Sequence, residues 1–325
     1  LAHSVFEARV LTEAARKHEV ATQMGNQGHS GEGARLLCEW VWDGAIGPIR
    51  EAHAWTNRPV WPSGVEVGRP VETPPLPPGL DWDLWLGPAR ERPYHPAYHP
   101  AKWRAWWDFG TGSLGDMACH IVDPLFWALK LKYPLSVEAN ISKYWHAFFE
   151  MTEPKQEMFP RSTIVRYRFP AREEMPPVTL TWWDGGLMPA RPAGLETGRR
   201  MGDLDGGILL IGDEGAILAG CYGESPRIVP ESRMKRYRRP GRTLERIPLG
   251  PDGHEQDWIR AVKGGKPASS NFEYSGPLSE TVLMGNLAIR FPDRELLWNG
   301  EAMEVTNDPD ANAYVRREYR DGWHL

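Results

Sequence analysis

The run from Gly110 to Pro124 constrains the chain most tightly, because it sets a glycine-rich turn, a carboxylate and an imidazole within one turn-to-helix transition. Leu114, Ala118, Ile121, Leu125 and Leu129 recur at three- and four-residue intervals, which predicts a helix over 113–129 with one apolar face. On such a helix Asp116 and His120 stand four apart on one face, so both can address one ligand. An imidazole with an ordinary pKa of about 6.5 exchanges a proton at neutral pH, and a carboxylate beside it orients it or holds a hydroxyl. Asp116 and His120 are therefore a candidate catalytic pair suited to oxidising an alcohol. A capped helix with an internally packed histidine has the same residues, and spacing alone does not choose between the two.

At 325 residues the chain is long enough for two ordinary units with a substantial core. Its 38 Lys and Arg against 43 Asp and Glu give a net charge of −5, so no overall field recruits nucleic acid or an anionic membrane, and a small neutral substrate fits better. Cys38, Cys119 and Cys221 have no CxxC spacing and read as reduced thiols, neither a disulfide framework nor a zinc site. No apolar run reaches the roughly 20 residues of a membrane helix. The 16 Trp, many in polar, proline-rich surroundings, suit stacking on sugar faces.

Ser4 as N-cap and Glu7 three residues on predict a helix starting almost at residue one. Val20–Met24 reads as a short buried strand, with Gly25–Ser30 as the loop leaving its carboxyl end, where open α/β sheets gather ligands. A helix over 33–43 and a strand over 49–56 complete an alternation typical of a doubly wound sheet, although no GxGxxG follows an opening strand. Residues 57–102, rich in Pro and aromatics, read as an ordered wall lining a site. His29 in the strand-end loop and Tyr98 in this wall are candidate substrate contacts. Pro96 between His95 and His99, with Pro100 after them, forbids a helical metal pair, so no metal is expected. Arg104 suits a phosphate or sugar hydroxyl, and equally a solvated arginine on tryptophan.

Beyond residue 135 strands dominate: 136–144, 162–169, 178–183 and a hairpin over 206–220 turning at Gly212–Gly215. Eight Lys or Arg between Arg227 and Arg246 lack helical spacing and read as a solvated loop. Helices are predicted near 254–263 and 277–290, a hairpin over 296–305 and a last helix over 312–319. The fold class is α/β plus α+β: the C-terminal part of a Rossmann-like dinucleotide-binding domain over 1–57, with the 113–129 helix near it, then a large, mainly antiparallel open sheet domain over 58–325.

The Gly112, Asp116, His120 and Asp123 spacing resembles the GxxxDxxxHxxD-like helix of the Gfo/Idh/MocA oxidoreductases, named after glucose-fructose oxidoreductase and inositol dehydrogenase. The segments Met24–His29, Asp83–Pro88 and Leu210–Gly215 also resemble a bacterial subgroup of that family. The resemblance implies NAD or NADP as cofactor, Asp116 and His120 as the acid/base pair, and Asp123 as structural. It also implies that Asn26 and Gln27 approach the nicotinamide, that Trp103 and Arg104 lie near cofactor and sugar, and that the protein assembles as a dimer or tetramer. In the family a Glu-Lys-Pro segment precedes the helix that opens this chain, so Leu1 is expected to follow that proline, with the nucleotide fingerprint and catalytic lysine upstream. The chain as written is then expected neither to bind NAD nor to turn over a sugar, and its compartment stays open between cytoplasm and periplasm. Three functions follow: an NAD(P)-dependent dehydrogenase of a sugar, glycoside or polyol; an NAD-dependent glycosidase working by transient oxidation and elimination; or a non-catalytic sugar-binding fragment.

Overall fold

The computed structural model describes residues 1–64, 68–152 and 157–325. Its elements run α1 (Val5–Lys17), α2 (Glu32–Trp42), β1 (Ile49–Thr56), α3 (Trp82–Leu86), α4 (Gly112–Ala128), β2 (Ser136–Ile141), β3 (Tyr144–Ala147) and β4 (Glu150–Thr152). They continue as β5 (Thr163–Phe169), β6 (Val178–Trp183), β7 (Gly206–Gly212), β8 (Gly215–Gly220), β9 (Arg227–Val229), α5 (Glu231–Arg236), α6 (His254–Val262), α7 (Phe272–Arg290), β10 (Glu295–Asn299), β11 (Glu304–Val305) and α8 (Pro309–Asn312).

Among the described residues, nine strands form one open sheet in the order β11-β10-β2-β5-β6-β1-β7-β8-β9. Neighbours are antiparallel except β1 and β6, which run parallel with Glu51 opposite Thr179 and Trp55 opposite Trp183. β5 shows why such a strand forms: its β-branched and aromatic residues alternate, with Thr163, Val165, Tyr167 and Phe169 buried. Helices α4 and α7 lie on one face of the sheet and carry α2 and α1 outside them. Leu114, Ile121, Leu125 and Leu283 of these helices meet Val137, Val165, Leu180 and Ile208 of the sheet in the main core. The other face carries a smaller core, where Met201 and Leu195 pack with Trp55, Leu209 and Leu218.

The opening helix forms as its sequence dictates. Ser4 accepts from the Glu7 amide, and Glu7 Oε2 accepts from the Ser4 amide at 2.9 Å, a complete capping box.

Two expectations at the chain's start are corrected. Val20–Met24 is not a strand, because its groups are satisfied singly by the segment around α6 and α7 instead of by a ladder. Met24 donates from its amide to the Ser270 carbonyl, Gln23 donates to the His254 carbonyl, and Thr22 Oγ1 accepts from the Phe272 amide. Ile49–Thr56, read as part of a separate α/β layer, is instead a central strand of the large sheet, held between β6 and β7. At the other end, the helix expected over 312–319 is the single turn of α8. Asp308 caps it through the Ala311 amide, and the following residues are drawn off to distant partners, Tyr319 to Glu7 and Arg320 to the Gly87 carbonyl. The β3–β4 hairpin was not foreseen.

The basic stretch from 227 is likewise more than a solvated loop. Arg246 reaches the buried Glu39 of α2 with both ends of its guanidinium, at 2.8 Å from Nη2, and also binds Glu32. Hydrogen bonding by Arg246 holds the Glu39 carboxyl down from its ordinary 4.5 to about 2. A depressed carboxylate pKa means that this pair stabilises the fold fully above the unfolded value and loses its effect as pH falls from about 4.5 to about 2. Arg246→Met should therefore lower stability by about 3 kcal/mol at pH 7, the scale for a buried charge left without its partner. Urea denaturation at pH 7 and at pH 3 checks this, the difference between variant and parent shrinking at the lower pH.

Candidate functional site

The site is built around α4. Its Asp123, fully buried, accepts from His29 Nδ1 at 2.9 Å and from the Tyr274 hydroxyl of α7 at 2.6 Å. The His29 ring is stacked on Trp127 with centroids 4.4 Å apart. One carboxylate thus ties the loop after Met24, α4 and α7 together, which agrees with the structural role expected of Asp123. His29 itself is a correction: only 1% exposed, it serves this internal network and does not present its ring as a substrate contact. Asn26 is also buried, with Oδ1 accepting from the Ser270 hydroxyl at 2.7 Å and Nδ2 left without a partner. Gln27 follows at the start of a half-turn over Gln27–Ser30 and is half-buried.

Asp116 and His120 stand on the same helix as expected, but their side chains share no hydrogen bond. Asp116 Oδ1 instead accepts from Arg104 Nε at 2.9 Å, and Arg58 Nε lies 3.9 Å from Oδ2. The partly buried His120 ring keeps Nδ1 inside the protein with no partner. Burial lowers its pKa below 6.5, Asp123 and Asp116 opposing this and His254 and Arg58 adding to it. The ring meets Tyr222 edge-on, centroids 5.1 Å apart. Tyr222 has φ +61°, an unfavourable left-handed conformation for a residue with a side chain. It is locked there by close approach: a Cβ on Gly28 would stand 2.7 Å from Tyr222 Cβ.

Arg58 and Tyr222 were missed in the sequence. Arg58 follows the last residues of β1, and Tyr222 the end of β8, so the sheet brings both to α4 from positions far apart in the chain. Arg104, in the turn Lys102–Ala105, is held over the Trp103 ring at 4.6 Å while it binds Asp116. Trp103 and Arg104 therefore do lie beside the Asp116 face. Tyr98 does not present its ring there: at 3% exposure it belongs to a third small core with Ala105, Trp106 and Met158, lined by Trp82 and Trp85. Of the segment read as a wall over 57–102, Trp61, Trp82, Trp85 and Ala97 pack around Tyr98 in this core, and residues 65–67 lie outside the described residues. His95 and His99 face Tyr98 and Trp85 respectively.

These groups suit the reacting end of a nicotinamide and an alcohol: a partnerless imidazole nitrogen, a carboxylate fixed by two arginines, and a buried amide with a spare donor. They do not supply a place for the pyrophosphate. Among the described residues no strand runs into a glycine-rich turn that opens a helix, the usual cradle for that group.

Residues 53–147 match the GFO_IDH_MocA_C2 family model, described as oxidoreductase family, C-terminal alpha/beta domain. No curated protein matches the sequence. The fold is similar to that of an NAD binding oxidoreductase from Klebsiella pneumoniae, at 15% identity over 94% of this chain and 72% of that one, with a TM-score of 0.51. It is similar also to the WlbA dehydrogenase from Bordetella pertussis in complex with NADH and UDP-GlcNAcA, at 15% identity over 92% and 69%, TM-score 0.51. A third is an oxidoreductase domain protein from Kribbella flavida, at 16% over 91% and 72%, TM-score 0.50. The family model carries the Gfo/Idh/MocA resemblance, and the solved structures agree with it in fold.

Asp123→Asn should cost about 2 kcal/mol, because the amide loses the negative charge that strengthens the bonds from His29 and Tyr274 and sets an NH₂ donor where Oδ2 faces His29 Nδ1 at 3.0 Å. A urea midpoint equal to that of the parent would remove Asp123 from this structural role.

Proposed function

We propose that this chain carries the substrate-side chemistry of an NAD(P)-dependent oxidoreductase acting on a sugar, glycoside or polyol, with Asp116 and His120 handling the hydroxyl proton. The observation that carries this reading is the His120 ring, partly buried four residues after Asp116 on α4: its Nδ1 has no partner among the described residues, and burial shifts the ring towards its neutral form. A neutral imidazole is the form that can take a proton from an alcohol. Arg104 and Arg58 hold Asp116 one helical turn away, where a carboxylate can accept from a substrate hydroxyl and favour the imidazolium once it forms. NAD or NADP, when bound, supplies the hydride acceptor, and Asn26 and Gln27 are the residues we assign to its nicotinamide end. The NAD binding oxidoreductase and the dehydrogenase complexed with NADH and a nucleotide sugar support the class of cofactor and substrate.

In the natural gene product, His120→Ala should lower kcat for oxidation by about 10²- to 10⁴-fold and leave NAD affinity nearly unchanged. Undiminished turnover would remove His120 from the mechanism. Because the ring acts as a base and its pKa is lowered, the acid limb of kcat/KM for oxidation should lie below pH 6.5. Net accumulation of NADH is expected of a dehydrogenase; sugar cleavage without it would point to the redox glycosidase. The same reading includes a homo-oligomer, for which the β3–β4 hairpin offers the exposed rings of Phe148 and Phe149. Sedimentation at micromolar concentration should show a dimer or tetramer, and a strict monomer would contradict this.

A further inference from the structure

A sizeable cavity lies away from the Asp116 face. It measures about 520 Å³ and opens between the start of α1, the end of α7, the turn into α4 and the tail at 313–318. That volume is in the range of small-ligand pockets. Six guanidinium groups line it against three carboxylates. The carboxylates are already committed to part of that set: Asp108 binds Arg69 at 2.6 Å and also Arg92, Glu157 binds Arg69, and Glu318 binds the exposed Arg90 at 3.3 Å.

Two guanidinium groups of the tail stand outside those pairs. Arg317 donates to the Asp108 carbonyl at 2.9 Å and, among the described residues, forms no ion pair; it is partly buried, and desolvation lowers its pKa while the Glu7 carboxylate opposes this. The exposed Arg316 beside it lies 4.0 Å over the Phe6 ring and likewise has no carboxylate partner among the described residues. Arg290 is stacked between Trp107 and Tyr314, at 4.1 and 4.3 Å from their ring centres. The neighbouring His3 responds to the same field: burial lowers its pKa, and Arg317 lowers it further. With six guanidinium groups against three carboxylates, the lining is net positive, and an anionic ligand complements it.

A second feature narrows the ligand. Asn286 of α7 lines the same cavity and is 6% exposed. Its Nδ2 donates to the Thr111 carbonyl at 3.1 Å, which fixes the amide's orientation and leaves Oδ1 buried without a donor. A ligand hydroxyl satisfies that acceptor.

We propose that this cavity binds a small hydroxylated organic anion, its carboxylate or phosphate taken by Arg317 and Arg316 and one hydroxyl given to Asn286. Neither Asp116 nor His120 lines it, so the proposal stands apart from the proton-transfer reading.

Isothermal titration at low salt with D-glucuronate, glucose 6-phosphate and glucose tests it on this chain. At least one of the two anions should bind about tenfold or more tightly than glucose, and which of them does so identifies the anionic group. Arg317→Gln and Asn286→Ala should each weaken that anion about tenfold, the loss of one well-made polar contact, while Arg90→Gln and His120→Ala leave it unchanged. Should Arg317→Gln fail to fold, judged by its thermal transition, Arg316→Gln on an exposed side chain carries the same expectation. Glucose binding as tightly as both anions, or wild-type affinity in the folded Arg317 or Arg316 variant, would overturn the proposal.

Discussion

A single buried carboxylate holds the arrangement together. Asp123 sits where α4 crosses between the sheet and the outer helices, and accepts from His29 of the loop after Met24 and from Tyr274 of α7. A fully buried carboxylate is tolerated only when its oxygens are hydrogen-bonded, so its two partners are bound to it as firmly as it is to them. The consequence reaches three residues back along α4. With the helix pinned at Asp123, the rotation that places His120 towards Tyr222 and Asp116 towards Arg104 is no longer free.

The sheet supplies the rest of the geometry. β1 ends beside Arg58 and β8 ends beside Tyr222, so both arrive at α4 from the edge of the same layer. Tyr222 keeps a left-handed backbone against close-packed neighbours: a Cβ on Gly28 would stand 2.7 Å from Tyr222 Cβ, and one on Gly33 2.3 Å from the neighbouring Gly223 carbonyl, so glycine is required at both. Backbone strain of this kind persists only where surrounding contacts over-determine it, and here it fixes the ring that meets His120.

Much of this was legible in the residues. Apolar periodicity placed α4 and α2 within a residue or so, and β-branched alternation placed β5, β6 and the β7–β8 hairpin, because those signals come from burial on one face and the structure buries those faces. The Ser4–Glu7 capping box was readable for the same local reason. What failed was long-range. Nothing in Val20–Met24 reveals that its hydrogen-bonding partners come from residues 254–272 one at a time, and nothing in Ile49–Thr56 distinguishes a strand of a nucleotide sheet from the middle of a larger one. His29 and Tyr98 were offered to a substrate for their places in the strand-end loop and the aromatic segment, and the structure buries both. Arg58 and Tyr222 carry no local signal, since their place beside Asp116 and His120 comes from strand order.

The central claim is that His120, and not the buried His29, meets the substrate. Histidine ring nitrogens labelled with ¹⁵N and followed by NMR while a sugar alcohol is added to the natural gene product with NAD test it most directly. A change in the His120 resonances with the His29 resonances unmoved is the predicted result. A His120 ring indifferent to saturating sugar, with His29 responding in its place, would contradict it.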